Sequence, residues 1–253
     1  MPIPPSSRFD GSGEWRDDLR RSVRLFRAFL TEQTDPRGFY SLIADDTVCL
    51  MRRHMDLRGR TVADFGGGSG FYSAAFREAG ASTVLVDASY DELTAHGRDP
   101  HAVVALAEKS PLADASVDIA FSSNLLEHVR DIPAVADQIA RVVRPGGYVV
   151  LSYTIWWGPW GGHETSPWHY LGGHRAARWY ERKHGRPPKN RYGESMFAAS
   201  AATGLRWARS RPGLTLLEER PRYLPPAARH LLRVPGLREV VTWNLWLVLR
   251  REP

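Results

Sequence analysis

Apolar positions along this chain follow two periods, and the places where the period changes fix the elements to expect. Residues 14–32 set Leu19, Val23, Leu25, Phe26, Phe29 and Leu30 largely on one face at helical spacing; residues 37–55 do the same with Phe39, Tyr40, Leu42, Ile43, Val48, Leu50 and Met51. Two amphipathic helices are predicted. Short continuous apolar runs then take over at 61–65, 83–86, 102–106, 117–122 and 148–153, as in strands buried on both faces. Helix-compatible stretches separate them at 71–79, 90–95 and 124–128, the last running on into 132–141. Turn residues fill 107–115, and Arg144-Pro145-Gly146-Gly147 marks a turn before the fifth run. This β-α register predicts an α/β protein with a mostly parallel, doubly wound sheet, helices on both faces and ligand beyond the carboxyl ends of the strands.

The tail reads differently. After a helix over 195–207, the segments 214–218 and 241–250 are strand-like around a partly helical 225–238, and Trp243, Leu245, Leu247 and Leu249 alternate. Two such strands at the sheet's far edge bring the expected total to seven.

The chemistry concentrates in Thr61-Val-Ala-Asp-Phe-Gly-Gly-Gly-Ser-Gly70, where a short apolar run stops at an acid and opens into four glycines in five positions. Glycine serves where the backbone takes positive φ or must let another molecule lie against it. The following helix, the second strand and its terminal Asp87 complete the first half of a nucleotide-binding unit, with Asp87 placed to accept bonds from a ribose. Asp64 would repel the pyrophosphate of a dinucleotide, so a cationic or zwitterionic ligand suits this turn better.

Asp64, the spacing of Gly66, Gly68 and Gly70, and Asp87 resemble the class I, Rossmann-like S-adenosylmethionine-dependent methyltransferases. Ser122-Ser123-Asn124-Leu125-Leu126-Glu127-His128-Val129 and the 144–147 turn add to the resemblance, which covers about residues 60–153 strongly and the tail weakly. It implies a last strand inserted antiparallel beside its neighbour. It also implies that Asp64, Gly66, Gly67, Gly68 and Gly70 hold the methionine part of S-adenosyl-L-methionine, that Asp87 holds its ribose, and that Leu106, Ala107 and Glu108 lie by adenine. Many relatives have an acid where Leu106 aligns, so backbone groups and apolar stacking would replace that bond here. Ser123 and Asn124 would face the methyl donor. The expected organisation is one domain over 1–253, made of a helical N-terminal extension (1–57), a cofactor-binding core (58–153), an inserted substrate cap (154–193), and a C-terminal helix with strands (194–253).

Composition narrows the class. At 253 residues, 43% hydrophobic and 25% charged, the chain suits one large domain, and its longest apolar stretch, 241–249, is strand-sized. Residues 1–8 lack an apolar signal core and Cys49 is the only cysteine, so a reducing cytoplasm is the expected home. The net charge of +6 raises nucleic acid as a partner, but the basic residues are dispersed among acids and no nucleic-acid module is recognisable. Solvated helix faces account for most of these arginines, and acidic-substrate or membrane-surface contact stays open.

Residues 156–189 are too long for a simple connection. They carry Trp156, Trp157, Trp160, Trp168, Trp179, Tyr170 and Tyr180 with His163, Glu164, His169, His174 and His184 among glycines and prolines. Aromatic faces pack against sugars or flat rings, and histidines relay protons or bind metal. Trp156, Trp157, Glu164 and Tyr170 are the substrate-binding candidates. His163, His169 and His128 are the candidate bases, and His163, Glu164 and His169 the candidate ligands should a divalent metal bind. A packed cap with hydrogen-bonded histidines explains the same residues without chemistry.

The reading that follows is methyl transfer from S-adenosyl-L-methionine to a hydroxyl of a small molecule. The actinobacterial sugar and polysaccharide O-methyltransferases are the subfamily the cap resembles, and polyketide, lipid-linked or other natural-product acceptors remain alternatives. Two other classes compete: a nucleotide-binding dehydrogenase, and a catalytically inactive methyltransferase-like partner protein. The Asn/Asp-Pro-Pro-aromatic motif of base N-methyltransferases is absent after the fourth strand.

Overall fold

A computed structural model describes residues 15–32, 34–94 and 99–253. The expectations for residues 1–14 and 95 lie outside the described residues. Seven strands form one sheet: β1 (Thr61–Phe65), β2 (Ser82–Asp87), β3 (Ala102–Val104), β4 (Val117–Ser123), β5 (Val143–Thr154), β6 (Leu214–Pro221) and β7 (Asn244–Arg251). Their order is β3-β2-β1-β4-β5-β7-β6. The first five pair in parallel, while β7 runs antiparallel to both β5 and β6. This is the doubly wound, mostly parallel sheet with an antiparallel last strand that the apolar pattern and the resemblance anticipate. The strand order reverses between β1 and β4, which remain parallel, so a crevice opens beyond Phe65 and Ser123, where such sheets bind ligands.

Alternate residues of each central strand serve opposite faces. Val62, Ile119, Phe121, Val150, Trp246 and Val248 meet the helices α1 (Leu19–Leu30), α2 (Pro36–Arg52) and α3 (Phe71–Glu78). Ala63, Phe65, Ala120, Val149, Leu151 and Leu247 meet α5 (Ile132–Arg141) and α7 (Ala201–Ser210); the short α4 (Tyr90–Thr94) follows β2. Local signals set the helix starts. Asp18, Asp35 and Asp131 each accept a backbone N–H of the first turn, and Pro36 and Pro133 stand where a helix needs no donor. Buried Arg21 on α1 grips Asp46 on α2 through two 2.6 Å bonds, fixing the N-terminal helices to this face.

Three boundaries differ from the sequence reading for identifiable reasons. Residues 124–128 do not continue a helix into 132–141: Asn124 takes φ +55°, a 3-10 turn covers Leu126–His128, and α5 starts afresh at its Asp131 cap. Arg144 to Gly147 lies inside β5 as a bulge, because β4 advances two residues from Val117 to Ile119 while β5 advances from Val143 to Tyr148. The helix expected at 195 begins at Ala201, where Ser200 accepts from Thr203 N at 3.1 Å. The structure adds α6 (Gly173–His184), which buries Ala176 and Ala177, and a short α8 (Leu237–Val241). Among the described residues no helix is long and apolar enough to cross a membrane.

Candidate active site

The glycine turn rises from β1 and closes over Asp64. Gly68 holds φ +48°, a conformation costly for a residue with a Cβ, and its N–H donates to Asp87 Oδ2 at 2.9 Å. Ser89 N donates to the other Asp87 oxygen at 2.8 Å. Asp87 thus couples the end of β2 to the turn beside it. A Cβ on Gly67 would stand 2.8 Å from the Asp64 carboxyl carbon, so only glycine fits above that acid. Asp64 is buried and accepts from Ser73 Oγ at 2.8 Å; burial pushes its pKa up to about 7, with Asp87 adding and Ser73 opposing. Gly66 sits against Leu125, and Gly70 opens α3 with no side-chain cap, leaving first-turn N–H groups toward the crevice.

Leu106 lies two residues beyond β3, half exposed, next to buried Ala107 and exposed Glu108 in the 3-10 turn Ala107–Lys109. This supplies one apolar surface and backbone groups at the crevice edge. Ser123 and Asn124 lie at the end of β4, but their side chains are engaged within the protein. Ser123 Oγ accepts from Arg222 Nη1 at 2.8 Å and donates to Tyr72 Oη at 3.2 Å. Asn124 Oδ1 accepts from Asn244 Nδ2 at 2.8 Å.

Immediately after this strand the chain builds a cluster that the spacing alone did not reveal. Glu127, His128 and His163 each offer a ligand atom within 4.8 Å of the other two. Glu127 is 2% exposed; its Oε1 accepts from Thr154 N at 3.1 Å, and its Oε2 has no partner. His128 Nδ1 donates to the Ser195 carbonyl at 2.6 Å. His163 arrives from the segment beyond β5 in a left-handed conformation, φ +47°, with Nε2 buried and unpartnered. Burial lowers its pKa, so the ring is held neutral. Glu127 was not among the sequence candidates; its only signal was the acid beside His128.

The rest of the expected histidine and carboxylate set separates. His163, Glu164 and His169 do not converge, which corrects the ligand set inferred from their proximity in sequence. Glu164 is exposed and accepts from Asn190 Nδ2 at 3.1 Å. His169 is fully buried against the rings of Trp156 and Tyr170, at 5.2 and 4.1 Å, and stands 3.3 Å from Ser166 Oγ. It packs rather than reaching the crevice. Trp156 is likewise buried, between His169 and Tyr192. Trp157 and Tyr170 remain available, 46% and 40% exposed, with rings 6.3 Å apart and inclined by only 14°. Trp160 belongs to the packing of α1, touching Phe26, Phe29 and Trp243.

The strand order, the glycine turn and the acid closing β2 define a methyl-donor fold, and comparison with known proteins agrees. Residues 63–151 match the methyltransferase domain family. An uncharacterized methyltransferase of Mycobacteroides abscessus is 47% identical, over 93% of this chain and 95% of the relative. One from Mycolicibacterium gilvum is 48% identical over 93% and 96%. A crystal structure of an S-adenosylmethionine-dependent methyltransferase from Mesorhizobium loti superposes with a TM-score of 0.56 over 80% of this chain and 96% of that one, at 22% identity. The chain belongs to the class I S-adenosylmethionine-dependent methyltransferases, and S-adenosyl-L-methionine is its methyl donor. The dehydrogenase alternative falls with that assignment.

Proposed function

We propose that this methyltransferase moves the sulfonium methyl of S-adenosyl-L-methionine onto a hydroxyl oxygen of a small molecule held between the carboxyl ends of β4 and β5 and the segment 154–193, which acts as a cap. The observation that supports this reading is the cluster that buried Glu127 and half-buried His128, in the turn after β4 whose Leu125 lies against Gly66, form with half-buried His163. A neutral hydroxyl is a poor nucleophile until its proton has somewhere to go, whereas an amine, once neutral, carries a more nucleophilic lone pair and needs less help. Holding oxygen, methyl and sulfur in line supplies on the order of 7–11 kcal/mol of the barrier, and proton removal adds roughly 10²- to 10⁴-fold. The cofactor rests on the Asp64 to Gly70 turn, Asp87, and the Leu106 to Glu108 edge, with Ser123 and Asn124 lending backbone rather than side chains.

A sugar or oligosaccharide is the favoured acceptor class. Its support is the nearly parallel, half-exposed Trp157 and Tyr170 pair, a platform for the C–H face of a pyranose. A polyketide or lipid-linked acceptor would use the same rings. The lone Cys49, half-buried, suits work in a reducing cytoplasm.

Incubation of the enzyme with methyl-labelled donor and a panel of sugar, polyketide and phenolic acceptors tests the proposal. The expected product carries the label on oxygen. Methylation of nitrogen or carbon alone overturns the oxygen reading, and a protein that binds S-adenosylhomocysteine yet methylates nothing is a partner protein instead.

A further inference from the structure

We propose that Glu127, His128 and His163 form a binding site for one divalent transition-metal ion of the zinc class, whose open coordination position receives the acceptor hydroxyl. The inference rests on the oxygen-acceptor reading above for its catalytic consequence, but not for the site itself.

Three features of the cluster point to a cation rather than to a hydrogen-bonded core. First, two polar atoms are buried without partners on groups that stand within reach of each other: Oε2 of Glu127, a side chain 98% buried, and Nε2 of His163. An orphaned buried carboxylate oxygen carries a large desolvation penalty, and a cation is the partner that relieves it best. Second, the remaining atoms of the set are already fixed by backbone. Thr154 N holds Glu127 Oε1, and the Ser195 carbonyl accepts from His128 Nδ1. A carbonyl on the far ring nitrogen sets the tautomer and aims Nε2, as the outer contacts of metal-bound histidines do. Third, His163 is brought in with φ +47°, in a region a β-carbon disfavours, so surrounding structure is holding it in place.

The donor set selects the ion. Two imidazole nitrogens and one carboxylate suit zinc or its first-row neighbours, while magnesium and calcium prefer shells of oxygen. Three protein ligands leave a position open, the arrangement of catalytic rather than structural zinc. The sites come from three parts of the chain: the turn after β4 gives Glu127 and His128, the segment after β5 gives His163, and the 190–199 stretch supplies the Ser195 carbonyl. Ion binding would therefore tie the cap to the sheet.

In the reaction, the acceptor hydroxyl ligates the ion through oxygen and its O–H proton passes to solvent water. The oxygen then uses a lone pair to form the new O–CH₃ bond. The S–CH₃ bond breaks with its electron pair remaining on sulfur, leaving neutral S-adenosylhomocysteine. With the ion in place, His163 and His128 are ligands, and acidification of the hydroxyl by the cation replaces direct proton removal by imidazole.

The experiment is titration of tag-free, chelator-treated protein with Co²⁺ and with Zn²⁺. Visible ligand-field absorption is followed for Co²⁺, and calorimetry for Zn²⁺ competing it out. Wild type is expected to take one equivalent of Co²⁺ with the intense bands of a four- or five-coordinate site. Glu127→Gln and His163→Gln should each weaken uptake at least tenfold with the thermal melt of the apo-protein retained. Should either variant fold poorly, His128→Gln and the band shape of wild type carry the test. Absence of the bands, or uptake equal in wild type and variants, overturns the site. Uptake that follows the cluster while the methyl goes to nitrogen or carbon keeps the site and removes the oxygen reading. Oxygen methylation unaffected by chelation, with no Co²⁺ bands, does the reverse.

Discussion

Arg222 donates from Nη1 to the Ser123 hydroxyl at 2.8 Å, joining the residue just after edge strand β6 to the carboxyl end of β4. The guanidinium is wholly buried, and among the described residues no carboxylate bonds to it. Its other Nη protons go to Ser152 Oγ at 2.9 Å, Thr47 Oγ1 at 2.6 Å and Tyr72 Oη at 3.4 Å. The rings of Tyr72, Tyr223 and Trp246 lie 5.3 to 5.8 Å from its central carbon. Hydroxyl dipoles and π faces take the place of a counter-ion. Ser123→Ala leaves this buried cation short of an acceptor and is expected to cost about 1.5–3 kcal/mol in urea unfolding. S-adenosylhomocysteine affinity, read by calorimetry, should change less than twofold, because the Ser123 side chain faces Arg222. A tenfold loss of affinity at unchanged stability would return the hydroxyl to the cofactor site.

Asp87 has the opposite expectation. Its two oxygens accept from Gly68 N and Ser89 N, so the carboxylate orders the turn, and the proposed function has it hold the ribose as well. Asp87→Ala should weaken S-adenosylhomocysteine by about 1–3 kcal/mol, and faster amide exchange at Gly68 should accompany the loss. Unchanged affinity removes Asp87 from the site.

Asp64 makes stability and donor binding pull in opposite directions with pH. Its carboxyl titrates near 3.8 in the unfolded chain and near about 7 in the folded one. A folded value above the unfolded one means the folded state holds an extra proton between those limits. The stability tied to this group is complete below about pH 4 and is lost as pH rises through about 7. At roughly 1.4 kcal/mol per unit, ionised Asp64 costs about 4 kcal/mol above neutrality. Asp64→Asn, whose amide oxygen still accepts from Ser73, should raise Tm at about pH 8 and leave it nearly unchanged at about pH 4. The cationic donor favours the carboxylate, so the same variant should bind S-adenosyl-L-methionine more weakly. Equal Tm shifts at both pH values remove burial of the charge as the cause.

How legible these features were depended on how far apart their parts lie in sequence. The sheet was readable because each central strand is buried on both faces and therefore continuous in apolar character; β7 belongs with them, since Trp246 and Val248 are as buried as the alternating Leu245, Leu247 and Leu249. The turn was readable because all its glycines serve one bend. Glu127 stood in the 122–129 landmark beside His128 but was not ranked as a site residue, because its importance comes from burial and from His163, 36 positions away in the chain. His169 misled in the other sense: a histidine beside aromatic residues looks the same whether it faces a substrate or fills a core. Helix α6 went unpredicted because its arginine-rich sequence buries only Ala176, Ala177 and Gly173, too narrow a stripe to register as a period.

The sharpest test compares the two histidines of the cap. Both carry a buried, unpartnered Nε2, but His163 stands by Glu127 with a left-handed backbone, while the His169 ring packs against those of Trp156 and Tyr170. His163→Ala removes a half-buried ring that touches His128 and whose Nε2 has no partner, so Tm should change little while turnover falls about 10²- to 10⁴-fold with S-adenosylhomocysteine affinity retained. His169→Ala opens a cavity between two rings and should cost about 2–4 kcal/mol, with turnover per folded molecule kept within a few-fold. Thermal melts, calorimetric affinity and initial rates normalised to the folded fraction separate these outcomes. If His169→Ala abolishes turnover at unchanged Tm while His163→Ala does not, the proton leaves the acceptor on the other side of the cap, and the cluster at Glu127 has another task.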